Sequence, residues 1–265
     1  MVVATHDPAL AAYEALAPFY DRFMGGYDND RWLAGIEGIA RAHGLSGRRL
    51  LDVGCGTGRS FLPLLARGYE VTACDLSPAM VERALEATAG TDAELLVADA
   101  RELPALGRFD LVTSLDDTLN YLLSDTELEA AFRGMARNLR PGGLLVFDLN
   151  SLRTYRHFFA RDMARDGDGA FFCWHGEGAP EAAPGCFASA VIEVFATDDG
   201  ECWRRTSSRH VQRHHPFEVV RRLLADCGFE LLERRGQVTG ARIDPVGDEE
   251  AHVKLVHFAR RRFAT

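Results

Sequence analysis

Seven residues, Asp52-Val53-Gly54-Cys55-Gly56-Thr57-Gly58, form an acidic, glycine-rich turn between an apolar run and a helical pattern. Glycines at such a turn let a ligand touch the backbone, and open parallel sheets bind ligands at strand ends of this kind. Two further carboxylates, Asp75 and Asp99, end the next two strand-like segments. A carboxylate accepts hydrogen bonds from paired hydroxyls or from an exocyclic amine. Three acidic strand ends therefore suit a nucleoside, with Asp75 placed for a ribose and Asp99 for adenine. A tight strand-to-helix connection also accounts for the glycines alone, but not for the carboxylates.

A dinucleotide cofactor such as NAD requires G-x-G-x-x-G with its pyrophosphate over a helix N-terminus. Here Gly58 comes one residue early, Arg59 stands where the last glycine belongs, and Asp52 adds negative charge beside the phosphates. S-adenosylmethionine (SAM), which carries an ammonium and a sulfonium, matches an acidic rim better.

The elements that position these residues read as alternating strands and helices. Arg49 to Val53 is a buried strand, Gly58 to Arg67 a helix containing Pro63, and Glu70 to Cys74 the second strand. Ser77 and Pro78 open a helix through Ala87; Glu94 to Val97 and Phe109 to Leu115 are the third and fourth strands. Ser124 and Glu127 form a capping box before the apolar stripe Leu128, Phe132, Met135 and Leu139. Pro141, Gly142 and Gly143 stop that helix, and Leu144 to Asp148 is a central fifth strand. Two helices precede all this: one capped by Asp7, with Tyr13, Leu16 and Tyr20 at helical spacing and a break at Pro18, and one from near Asp30 to Gly44.

After the fifth strand the pattern changes. Ala170 to Glu177, Phe187 to Thr197 and Glu201 to His214 are strand-like and separated by turns, with Asp198 to Gly200 joining the last two and Gly178 to Gly185 a looser connection. Pro216 opens a final helix ended by Gly228, followed by strands near Glu230 to Arg234 and Val253 to Ala259. The expected organisation is a helical cover over 1–45, an α/β core over 46–150, a helix plus antiparallel β insertion over 151–215, and the rest of the core over 216–265.

Composition narrows the function classes. The formal charge of −9 lacks the basic stripe that nucleic acid requires. No apolar run approaches a membrane span and the N-terminus has no leader pattern, so the expected location is the cytoplasm. Lys254 is the only lysine, which disfavours Schiff-base and P-loop chemistry. Six cysteines without C-x-x-C spacing read as buried thiols.

LLDVGCGTGRSFLPLLARGYEVTACDLSPAMVERA, VADARELPALGRFDLVTSLDDTLNYL and LRPGGLLVFDLN together resemble the class I SAM-dependent methyltransferases over about Tyr13 to Asn150. Within that group the chain is similar to small-molecule N- and O-methyltransferases of the methyltransferase-25 type. The resemblance implies a doubly wound, mostly parallel seven-stranded α/β sheet of the Rossmann-like methyltransferase fold, with SAM as cofactor. By position it assigns Asp52 to the methionine ammonium, Gly54 and Gly56 to the methionine portion, and Asp75 to the ribose, with Cys55 also cofactor-binding. Leu76 would lie against adenine, Asp99 and Ala100 would recognise it, and Leu115 and Asp116 would lie beside the cofactor. Tyr20 and Trp32 are candidates for covering SAM, with helix-face packing the alternative for both.

Methyl transfer from a sulfonium needs nucleophile, carbon and sulfur held in line. A base helps an oxygen acceptor more than an amine. Acceptor-side candidates are Asn120, Asp148, Asn150 and Trp174 as contacts, with Tyr121, His175 and His210 as catalytic groups. Asn150 also suits loop capping, and His210 with His214 an ordinary strand face. No metal is expected, although Asp116 or Asp117 with Asp148 and Asn150 would offer oxygen ligands to Mg²⁺. The insertion is expected to roof the cleft; as an alternative it supplies a homo-oligomer surface. A SAM-binding regulator or cyclase and an NAD-dependent oxidoreductase are the rival functions.

Overall fold

The computed structural model describes residues 7–167, 169–197 and 200–263. Its N-terminal helices are α1 (Pro8–Leu16), α2 (Tyr20–Phe23) and α3 (Asn29–Ala42). Asp7 caps α1 by accepting from the Ala9 and Leu10 amides at 2.8 and 3.1 Å, and a short 3-10 turn through Pro18 separates α1 from α2. The cap of α3 is Asp28, two residues before Asp30, and it accepts the Arg31 amide at 3.0 Å.

The core then alternates β1 (Arg49–Val53), α4 (Leu62–Ala66), β2 (Glu70–Asp75), α5 (Pro78–Ala87), β3 (Glu94–Val97), β4 (Phe109–Ser114), α6 (Asp125–Asn138) and β5 (Leu139–Asn150). A second, antiparallel sheet holds β6 (Asp162–Gly167), β7 (Ala170–Gly176), β8 (Phe187–Ala196) and β9 (Arg204–Arg213). The chain returns to the first sheet with α7 (Phe217–Asp226), β10 (Phe229–Val238), β11 (Arg242–Asp244) and β12 (Lys254–Arg261).

The large sheet has the order β11-β10-β12-β5-β4-β1-β2-β3. Pairs from β5 through β3 are parallel, and β12, β10 and β11 are antiparallel additions. The order reverses between β1 and β4, the switch point at whose carboxyl ends a crevice opens. Alternation along β1 sends Leu51 and Val53 into the core under α6 and α7, and Leu50 into the core under α3 and α4. Both faces are covered, as a parallel sheet requires.

Several local expectations are corrected. The helix expected over Gly58 to Arg67 is shortened to Leu62–Ala66, because Gly58 at φ +99° extends the turn. Pro141 to Gly143 do not precede β5 but lie inside it, where the register with β4 shifts between Phe109 and Leu111. The large sheet has eight strands rather than seven, since the three-residue β11 adds an edge. The small sheet gains β6, whose Asp162–Gly167 sequence is too polar to read as a strand. Of the turn expected at Asp198 to Gly200, Asp198 and Asp199 lie outside the described residues. The capping box stands: Ser124 Oγ accepts the Glu127 amide at 3.1 Å and Glu127 accepts the Ser124 amide at 3.0 Å.

One face of the small sheet, through Ala170, Phe172, Ile192 and Val194, packs with Leu16, Phe19, Tyr20 and Phe23. α1 and α2 therefore lie between the small sheet and the carboxyl ends of the core strands, while α3 covers one face of the large sheet. No helix among the described residues is long and apolar enough to cross a membrane.

Candidate active site

A cleft partly open to solvent lies at the switch point, lined by residues of the glycine turn, the ends of β2 and β4, and α1. The glycine turn forms its floor. Gly54 at φ +77° sits where a Cβ would come 2.2 Å from the Thr118 side chain, so only glycine fits. Gly56 at φ +53° faces the Tyr20 ring. Its amide donates to Asp75 Oδ2 at 2.8 Å, while the Ser77 amide donates to Asp75 Oδ1 at 2.9 Å. Asp75 thus ties the end of β1 to the start of α5 and keeps a lone pair on each oxygen for a further donor.

Of the residues read as cofactor contacts, Tyr20, Gly54, Cys55, Gly56, Asp75, Leu76, Asp99, Ala100, Leu115 and Asp116 line this cavity. Two are elsewhere. Asp52 is completely buried behind the turn, accepting from Ser60 Oγ and, at 2.6 Å, from Thr113 Oγ1. Burial raises its carboxyl to about 6, against the pull of those two hydroxyls. Trp32 packs in the core against Tyr27, with ring centroids 5.8 Å apart.

Arg101 is a site residue that sequence reading missed. Its guanidinium grips both oxygens of Asp99 and reaches Asp7 at 2.6 Å, joining the cap of α1 to the cavity rim. Glu14 of α1 accepts from Ser77 Oγ at 2.6 Å and the Ala79 amide at 2.9 Å, and Asp21 of α2 accepts from Thr57 Oγ1 at 2.7 Å. Three polar fasteners thus hold the N-terminal helices across the cavity.

The acceptor-side residues fall into two groups. Tyr121 lines the cavity, and its hydroxyl lies 2.9 Å from Nδ1 of His210, whose Nε2 lies 3.0 Å from Ser208 Oγ. Burial pushes the His210 pKa down to about 4, so the ring is neutral at pH 7. Asp148 is fully buried and accepts the backbone amides of Asp116 and Asp117 at 2.8 and 2.7 Å. Asn120 donates to the Tyr155 hydroxyl and the Arg213 carbonyl, and Asn150 to Gln212 and Asp117.

Trp174 and His175 do not reach the cavity. The Trp174 ring rests on Phe158 and Phe159, and its Nε1 donates to the Phe158 carbonyl. His175, one residue on, points to the opposite face, where it is 48 % exposed beside Asp162 and Glu193. Adjacent strand residues cannot share a face.

Lys254 is the second missed residue. Its Nζ lies 3.0 Å from carboxylate oxygens of both Asp116 and Asp117 and 3.8 Å from Asp148. Burial alone would lower its pKa, but attraction to Asp117, Asp148 and Asp116 outweighs this and holds the ammonium well above the ordinary lysine range. The signal was its singularity; only the antiparallel pairing of β12 with β5, Lys254 opposite Asn150, brings it here.

Comparison with known proteins matches this geometry. The family model described as "Methyltransferase domain" matches residues 50–143. The putative methyltransferase YqeM of Bacillus subtilis (strain 168) is 32% identical over 224 residues, which cover 83% of this chain and 87% of that protein. A crystal structure of a S-adenosylmethionine-dependent methyltransferase from Clostridium acetobutylicum ATCC 824 superposes with a TM-score of 0.79 at 23% identity, covering 95% of this chain and 99% of that one. The sugar N-methyltransferase KedS8 from Streptoalloteichus sp ATCC 53650 gives a TM-score of 0.71 at 25% identity, covering 92% and 93%. An acidic, glycine-floored cavity at the switch point, joined to these likenesses, leaves one assignment: the chain belongs to the class I SAM-dependent methyltransferases and uses SAM as its cofactor.

Proposed function

We propose that this protein transfers the SAM methyl group to a nitrogen or oxygen of a small molecule. The observation that carries the reading is the single cavity wall shared by Gly54, Gly56 and Asp75 on one side and Tyr121 on the other. SAM supplies an electrophilic methyl carbon when bound. The chain's own residues would hold it: Asp75 by its remaining lone pairs, the glycine turn by close backbone approach.

The acceptor would lie against Tyr121, where Tyr13 of α1 meets His210 of β9 with ring centroids 5.4 Å apart. Tyr121 is the group placed to touch it, and His210 fixes the direction of the Tyr121 hydroxyl. Alignment and exclusion of water are the work asked of these residues. The likeness to a sugar N-methyltransferase supports an acceptor of that size. The protein incubated with SAM and a pool of amines, phenols and acids is expected to release S-adenosylhomocysteine in step with a methylated product. SAM binding with no release against any acceptor would overturn the reading.

A further inference from the structure

The acceptor side of the cavity has an uneven charge balance. Asp116, Asp117 and Asp148 face one ammonium, that of Lys254. Asp148 has both oxygens on backbone amides, and Asp117 gives one oxygen to Lys254 and the other to Gln212 and Asn150. Asp116 gives Oδ1 to Lys254. Its Oδ2 has no hydrogen-bond partner among the described residues, and Asp116 lines the cavity. The cations that line the cavity are committed: Arg101 to Asp99, Asp7 and Glu127, and Arg59 to the Met24 carbonyl and toward Asp21.

Three tyrosines share the cavity with this carboxylate. Tyr13, Tyr20 and Tyr121 all line the cavity, with the Tyr13 ring centroid 6.1 Å from that of Tyr20 and 5.2 Å from that of Tyr121. Aromatic rings and a carboxylate together favour a cation and offer an anion nothing.

Resting on the methyl-transfer reading above, we infer that the acceptor is an amine and that Asp116, with the wall of Tyr13, Tyr20 and Tyr121, selects it over a hydroxyl. The neutral nitrogen attacks with its lone pair, forming the N–C bond while the C–S bond breaks and its electron pair goes to sulfur. S-adenosylhomocysteine is left, and the nitrogen gains a positive charge beside Asp116 before losing a proton to water. A field that meets charge as it develops lowers the barrier. For a hydroxyl acceptor the same field opposes the alkoxide or phenolate that would attack. Burial drives all three phenols up; Asp116 and Asp117 add to the rise at Tyr20, and Asp117 at Tyr13 and Tyr121.

The test presents SAM-loaded protein with amines, each paired with the hydroxyl compound of the same skeleton, beginning with glucosamine and glucose, alanine and lactate, and benzylamine and benzyl alcohol. Methylated product is read by mass. Calorimetry on protein loaded with S-adenosylhomocysteine gives the affinity of the accepted amine. Methylation of an amine without its hydroxyl partner is expected, and Asp116→Asn, saturated with S-adenosylhomocysteine, should weaken amine binding at least tenfold. Methylation of the hydroxyl partner, or unchanged amine affinity in Asp116→Asn, overturns the amine assignment and leaves methyl transfer standing. Methylation of neither class overturns both.

Discussion

The Asp148 carboxylate accepts the backbone amide of Asp116 at 2.8 Å, and this bond shapes the acceptor side of the cavity. Asp116 and Asp117 both have left-handed backbones, φ +56° and +58°, which costs a non-glycine residue about 1–3 kcal/mol. Consecutive amides in this conformation form a concave anion site, and Asp148 fills it from β5. Asp148→Asn replaces one acceptor oxygen with a donor group that faces another donor. Losing a buried hydrogen bond to a charge should lower stability by about 2–3 kcal/mol. Urea unfolding measures it, and an unchanged midpoint would show that the turn holds itself.

The position of the acceptor predicts a contrast between residues at the cavity and a residue on the outer face of the small sheet. Tyr121→Phe and His210→Gln should alter acceptor turnover while leaving the SAM dissociation constant within about threefold, a change below 1 kcal/mol. His175→Ala should leave both untouched, since that ring lies on the outer face. Steady-state kinetics with an accepted substrate checks this. Loss of turnover in His175→Ala would place the acceptor on the wrong side of the sheet.

Sequence and structure agree best where chemistry is local. Gly54, Gly56 and Asp75 were legible because the turn, its glycines and the next strand end are fixed by short-range pattern. Asp52 was misplaced because Ser60 and Thr113, which draw its carboxylate behind the turn, are recognisable as partners only once β1 lies beside β4. Lys254 and Arg101 were missed for a similar reason: Lys254 meets Asp116, and Arg101 meets Asp7, only across a long stretch of chain. Trp174 and His175 are different. Strand alternation already forbids adjacent residues from facing one cavity.

A buried histidine gives a pH dependence of stability. His257 stacks on Phe147 with ring centroids 4.7 Å apart, and burial pushes its pKa down to about 3. In the unfolded chain the value is about 6.5. The neutral ring's contribution is therefore full above about pH 6.5 and is lost as pH falls toward 3, because the unfolded chain binds the proton first. His257→Leu removes this proton uptake. Between pH 7 and pH 5 the variant should lose about 2 kcal/mol less stability than the parent in urea unfolding. Equal losses would contradict the buried neutral ring.

Methyl transfer should survive EDTA. In-line displacement from a sulfonium requires no Lewis acid, and most of the oxygens that would ligate Mg²⁺ have other partners: Asp148 holds two amides, Asp117 holds Lys254, Gln212 and Asn150, and Asp116 gives one oxygen to Lys254. Activity lost in EDTA and restored by added Mg²⁺ would mean that this network rearranges around an ion.

The account rests above all on Asp75 as the residue that orders the glycine turn and receives the cofactor. Calorimetric titration of SAM into the parent protein and Asp75→Ala tests it most directly. The parent should bind one SAM per chain, and the variant should bind at least tenfold more weakly, since each bond to the carboxylate is worth about 1.5–3 kcal/mol. Equal SAM affinity in the two proteins would contradict the placement of the cofactor in this cavity.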